Sequence, residues 1–163
     1  MSERRPLWAP WRLDYITQAS EQGGCVFCAE AAGELPESES LLVNRGELAF
    51  VLLNKFPYSS GHLMVAPVRH IGALDELEAV EAAEVHALTV RSLAALRAVY
   101  EPDAYNVGWN LGFIAGGSIA AHLHEHVVPR WSGDTNFMPV LADIKVIPEH
   151  LLATRDRLRA AWA

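Results

Sequence analysis

Residues 122–128 read HLHEHVV, with histidines at alternate positions in a chain that holds seven in all. A β-strand sends successive side chains to opposite faces, so His122, His124 and His126 are expected on one face of one strand. Leu123, Glu125 and Val127 would then point the other way. Imidazole titrates near neutrality and can bind metal, move protons or attack phosphorus. A single buried histidine is usually a core residue with satisfied nitrogens. Three in register on one strand call for a function.

Just upstream lies NLGFIAGGS, residues 110–118. Glycine lets the backbone approach a ligand closely, and consecutive amides can cradle phosphate oxygens. Gly112, Gly116 and Gly117 supply the freedom, and Asn110 and Ser118 add neutral donors. A glycine pair is also ordinary in a hairpin connection. What singles it out is its place immediately before the histidines. A phosphate cradle leading into an imidazole array suits phosphoryl or nucleotidyl transfer.

The two cysteines, Cys25 and Cys28, sit in GGCVFCAE. In a reducing compartment a C-x-x-C pair reads as metal or redox chemistry rather than a structural disulfide. A thioredoxin-like motif would follow an apolar strand, whereas Gly23 and Gly24 precede this one. A zinc site needs two further ligands, which the histidines can provide. Cysteines without a special role are the third reading.

Strand-like runs occupy residues 41–46, 48–54, 61–67, 104–110 and 121–131. One long helix is expected from an Asp75 N-cap, with Glu78 completing a capping box, to about Tyr100. Leu77, Val80, Leu88, Ser92, Ala95 and Val99 fall on one of its faces, with Val85 and Leu96 on the flank and Glu84 interrupting the stripe. Pro102 ends it. A short run IKVIP precedes a C-terminal helix from about Glu149 to Trp162, which would carry His150, while His86 lies on the long helix. The result is an α+β fold: an antiparallel sheet of about five strands with one long helix and a C-terminal helix.

The chain has 163 residues, enough for a single domain with a real core. It is 51% hydrophobic and 20% charged, ordinary for a soluble protein, and its net charge of −7 argues against a nucleic-acid polymer as partner. A local pocket field can still hold a small anion. The N-terminus MSERRPLWAPWR lacks the apolar core of a secretory signal, and no stretch approaches the roughly 20 apolar residues of a membrane span. A cytoplasmic protein without membrane partners is the expectation.

In order along the chain, CVFC, LLNKFPYSSGHLMVAPVRH, NLGFIAGGS and HLHEHVVPR resemble the histidine triad (HIT) superfamily, over roughly residues 25 to 131. The flanks LWAPWR and RWSGDTNF further resemble its diadenosine tetraphosphate phosphorylase-like branch. The resemblance implies one HIT-like domain over residues 1–163, with N- and C-terminal extensions. It implies that His124 is the nucleophile that attacks the α-phosphorus and forms a nucleotidyl-histidine intermediate. His126 would lie near the phosphates and assist the leaving group. Cys25, Cys28, His70 and His122 match the ligands of a structural zinc. Asn54, His62, Asn110, Gly116, Gly117 and Ser118 match nucleotide-binding positions.

Two departures stand out. Glu125 replaces an apolar residue and is expected to face away from the site, and Ser118 stands where glutamine is common. The implied substrate is an adenine nucleotide or dinucleoside polyphosphate, cleaved by phosphorolysis with inorganic phosphate or by hydrolysis, in a homodimer. Alternatives are an adenosine phosphoramidate hydrolase on the same site, a non-catalytic adenine-nucleotide-binding protein, a purely structural zinc protein, and one catalytic metal held by all three imidazoles. Lys55, Arg69 and Arg130 are candidate sources of positive potential.

Overall fold

The computed structural model describes residues 24–115, 121–134 and 149–162. Helix α1 spans Val26–Ala32, α2 Ala79–Tyr100 and α3 Leu151–Ala160; strands β1 to β5 span Leu42–Arg45, Ala49–Leu53, Leu63–Pro67, Ala104–Trp109 and Glu125–Arg130. The strands form one antiparallel sheet in the order β1-β2-β3-β5-β4. This is the α+β architecture expected. Residues 1–23, the short run IKVIP, and the loop residues Gly116, Gly117 and Ser118 lie outside the described residues.

Strands β2 and β3 are buried along their whole length because the sheet is covered on both faces. Val51, Leu53, Leu63, Val65 and Val127 pack with Val85, Leu88, Ala95 and Leu96 of α2. The alternate residues Phe50, Leu52, Met64 and Ala66 meet Phe27 and Ala31 of α1. That two-sided burial explains why both strands read as unbroken apolar runs.

Helix α2 starts later than its sequence suggests. Asp75 sits in a 3-10 turn, Leu74–Glu76, and the N-cap is Glu78. Glu81 accepts the Glu78 N–H at 2.9 Å while Arg69 grips the same carboxylate at 2.7 and 3.0 Å. The buried face accordingly centres on Glu81, Val85, Leu88, Thr89, Ser92, Ala95 and Leu96, and Val80 is 60% exposed. Glu84, which broke the expected stripe, accepts the amides of Glu47 and Leu48 at 2.8 and 2.6 Å and ties α2 to the β1–β2 turn. His150 is the N-cap of α3 rather than part of it, its Nδ1 accepting the Leu152 N–H. Arg155 and Arg159 of α3 donate to the carbonyls of Glu37, Ser40 and Leu42, covering the β1 edge.

Strand β5 begins only at Glu125, so His122 and His124 precede it and His126 alone lies within it. The cause is Pro67. Val68 donates its N–H to Leu48 on the β2 side. Polar groups alternate along a strand, so Pro67 faces β5, where it has a carbonyl but no N–H to continue the ladder. No described helix is long and apolar enough to cross a membrane.

Candidate active site and metal centre

Cys25 is the N-cap of α1 and Cys28 lies in its first turn, so the two sulfurs share one side of a helical start. His70 follows β3 and His122 precedes β5. Together their donor atoms lie within 4.8 Å of one another. Three separations are 3.3 Å (Cys25 Sγ to His122 Nδ1), 3.6 Å (Cys28 Sγ to the same nitrogen) and 3.2 Å (Cys28 Sγ to His70 Nδ1). Ligands about 2.0–2.3 Å from a tetrahedral ion stand roughly 3.6 Å apart, so the spacing suits one. The orientation suits it as well. His122 Nε2 donates to the Pro67 carbonyl at 2.9 Å, leaving the Nδ1 lone pair turned to the sulfurs. The cluster can hold a metal ion.

The backbone of His122 serves the next histidine. Its carbonyl accepts His124 Nδ1–H at 2.8 Å, so the Nε2 of His124 carries the free lone pair. His124 is 8% exposed and its ring lies 5.0 Å from that of His126. Phe27, fully buried, stacks on His124 at 4.8 Å and tilts against His122 at 5.1 Å.

A chain of contacts fixes the second proton. The Tyr58 backbone N–H donates to His62 Nδ1 at 3.0 Å. His62 is thereby protonated on Nε2, since a neutral ring cannot accept on both nitrogens. That Nε2–H reaches His126 Nδ1 at 2.9 Å, which leaves His126 protonated on its own Nε2. The Asn110 Nδ2 is placed 3.2 Å from this nitrogen; two donors cannot share a bond, so the amide is assigned the turned-over orientation, in which its oxygen accepts the His126 Nε2–H. The pair therefore offers a lone pair on His124 beside an N–H on His126.

The sequence-derived residues are brought together in two groups. Cys25, Cys28, His70 and His122 converge on the metal cluster, and His124, His126, His62 and Asn110 form the imidazole row. Asn54 borders the row: its amide nitrogen is 3.4 Å from His62 Nδ1, and its oxygen caps the Phe56 N–H at 2.9 Å. Glu125 faces the other side of the sheet, as expected, and accepts from Thr89 at 2.5 Å. Arg69 and Arg130 are engaged elsewhere, by Glu81 and by Asp134 with Asn106. Phe27, Tyr58 and Pro67 are contributors that residue-type reasoning passes over. Only Phe27 carried a signal, its place between the cysteines.

With this geometry established, residues 36–133 match the HIT domain. The chain belongs to the HIT domain family. An AP-4-A phosphorylase of Mycobacterium tuberculosis is 42% identical over 163 residues, covering 96% of this chain and 84% of its own length. Among solved structures, a Zn-bound histidine triad family protein from Mycobacterium smegmatis superposes with a TM-score of 0.68 at 28% identity, covering 85% of this chain and 93% of its own. A hypothetical histidine triad nucleotide-binding protein from Sulfolobus tokodaii gives 0.68 at 26% identity, covering 84% and 91%.

Burial pushes His124 below the ordinary histidine range, opposed by its bond to the His122 carbonyl. Burial, reinforced by His124, pushes His126 down to about 4. Between about pH 4 and the ordinary value of 6.5, the unfolded chain takes up protons that these rings refuse. Folding stability should therefore be fully present above 6.5 and fall as the pH drops towards 4. Urea unfolding across that range should show a shallower fall for His126→Asn than for the wild type; parallel curves would contradict it.

Proposed function

We propose that this HIT-type enzyme cleaves a dinucleoside polyphosphate at the α-phosphate through His124. The observation that carries the reading is the tautomer pair: a bare Nε2 on His124 beside an N–H on His126. In the first step His124 Nε2 forms a bond to the α-phosphorus. The phosphorus–oxygen bond to the rest of the polyphosphate breaks, and the electron pair leaves with that oxygen. His126 Nε2–H is placed to hydrogen-bond the charge that develops there. The Nδ1 proton stays on His124, where the His122 carbonyl supports the cationic ring of the nucleotidyl-histidine. In the second step phosphate oxygen attacks the same phosphorus and the phosphorus–nitrogen bond breaks. Diadenosine tetraphosphate would thus release ATP first and ADP second. The 42% identity to an AP-4-A phosphorylase supports phosphate over water as acceptor.

Asn54, Asn110, His62, Gly116, Gly117 and Ser118 are proposed to bind the nucleotide. The ion we assign to the cluster is zinc: two thiolates and two imidazoles form a closed tetrahedral donor set, and a closed site is structural. Such an ion contributes folding free energy when bound. We further assign the enzyme to the cytoplasm, where both free cysteines stay reduced. It would act as a homodimer, joined along β4, whose six residues carry no charge and expose Val107.

Four measurements test these assignments. Incubation with diadenosine tetraphosphate should give ATP plus ADP only when inorganic phosphate is added. ATP plus AMP without phosphate would make the enzyme a hydrolase, and no turnover would favour phosphoramidates. His124→Ala should lower turnover by about a thousandfold or more while nucleotide binding survives; an active variant would remove the nucleophile assignment. Metal analysis of protein purified without chelator should approach one zinc per chain, and under about half an equivalent would exclude the structural ion. Sedimentation equilibrium should return twice the chain mass, reduced to one by Val107→Asp; a monomeric wild type refutes the dimer.

A further inference from the structure

The metal cluster and the imidazole row share two connections. The first runs through His122. Its ring is held at both nitrogens, by the cysteines at Nδ1 and by the Pro67 carbonyl at Nε2. The ring is fully buried, so residue 122 has little freedom left. Its backbone carbonyl is the acceptor that fixes the His124 tautomer. The second connection is Phe27. It lies between the two cysteines in sequence, and its ring packs on His122 and stacks on His124.

Helix α1 has seven residues and no side-chain cap at its N-terminus. A helix this short does not hold itself. Its C-terminal end is anchored, because Glu30 accepts from Ser40 Oγ–H at 2.6 Å and from the Leu41 N–H at 2.7 Å. Among the described residues, the polar anchor of its N-terminal turn is the cluster itself. The α2–sheet core, by contrast, is built without any of the four ligands.

We propose that the Cys25–Cys28–His70–His122 centre, when it holds its ion, aims the His124 imidazole, with Phe27 and His122 as the positioning residues. Loss of the ion then loosens the first turn of α1 and the carbonyl of His122 while the rest of the fold persists. The metal content sets the rate of nucleotidyl transfer rather than nucleotide affinity. This rests on the reading of His124 as nucleophile.

The test compares zinc-loaded full-length protein with protein stripped by chelator. Histidine 15N spectra report which nitrogen of His124 is protonated, independently of activity. Single-turnover adenylylation with diadenosine tetraphosphate reports the chemistry. Loaded protein should show the Nδ1–H form alone, and stripped protein a mixture of both tautomers. Stripping should slow adenylylation by about tenfold or more, the scale typical of lost outer-shell support, with substrate Kd changed by less than about threefold and both recovered on adding zinc. A folded, stripped protein that keeps the single tautomer and its rate overturns the proposal. Should stripping unfold the chain, Phe27→Leu at full zinc content decides: a several-fold slower adenylylation supports it, and a wild-type rate overturns it. A loaded wild type that never adenylylates His124 defeats the nucleophile assignment, while the tautomer spectra still judge the coupling.

Discussion

The contact between the ring of His122 and the carbonyl of Pro67 is the hinge on which the site turns. Proline has no N–H to offer β5, so the ladder stops and its carbonyl is left without a strand partner. His122 Nε2 takes that carbonyl at 2.9 Å. One hydrogen bond then settles three things: which nitrogen of His122 faces the cysteines, where the His122 carbonyl points, and which nitrogen of His124 keeps its lone pair. A ladder running on to Leu123, which the register sets opposite Pro67, would have used that carbonyl for pairing.

Proton placement, rather than net charge, distinguishes the site. His122, His124 and His126 are buried, and burial disfavours the charged form of each. Neutral rings have defined donor and acceptor nitrogens, and here backbone groups make the choice: an N–H at Tyr58 and carbonyls at His122 and Pro67. Backbone groups do not titrate, so the assignment holds wherever the rings remain neutral. The two arginines nearest in sequence, Arg69 and Arg130, are occupied by carboxylates, in keeping with a site that works through oriented dipoles.

Much of this was legible in the residues. The five strands were visible because β2 and β3 are apolar runs and β4 and β5 are bounded by glycine and proline. The four-residue cluster was legible through the resemblance, which grouped Cys25 and Cys28 with His70 and His122. Strand limits were not, because alternation in HLHEHVV predicts a strand whether or not the neighbour can supply hydrogen bonds, and Pro67 supplies one too few. The start of α2 departs from its sequence pattern for a similar reason. Asp75 has the right chemistry for a cap, yet Arg69 holds Glu81 where it accepts the Glu78 amide. The order of protons through Tyr58, His62 and His126 depends on backbone positions that no side-chain pattern encodes. Phe27 was hidden by its ordinariness, an apolar residue between two conspicuous ones.

The two edges of the sheet differ. At β1, Arg159 takes the outward Leu42 carbonyl, and Arg155 takes those of the preceding loop. At β4, the outer strand consists of uncharged residues. A sheet with two open edges can keep adding copies and grow into a ribbon. With the β1 edge stoppered by guanidinium groups, the proposed two-fold pairing along β4 is self-limiting: among the described residues it leaves no open strand edge to recruit a third copy. On the proposed pairing along β4, the arginines of α3 act as a terminator for assembly.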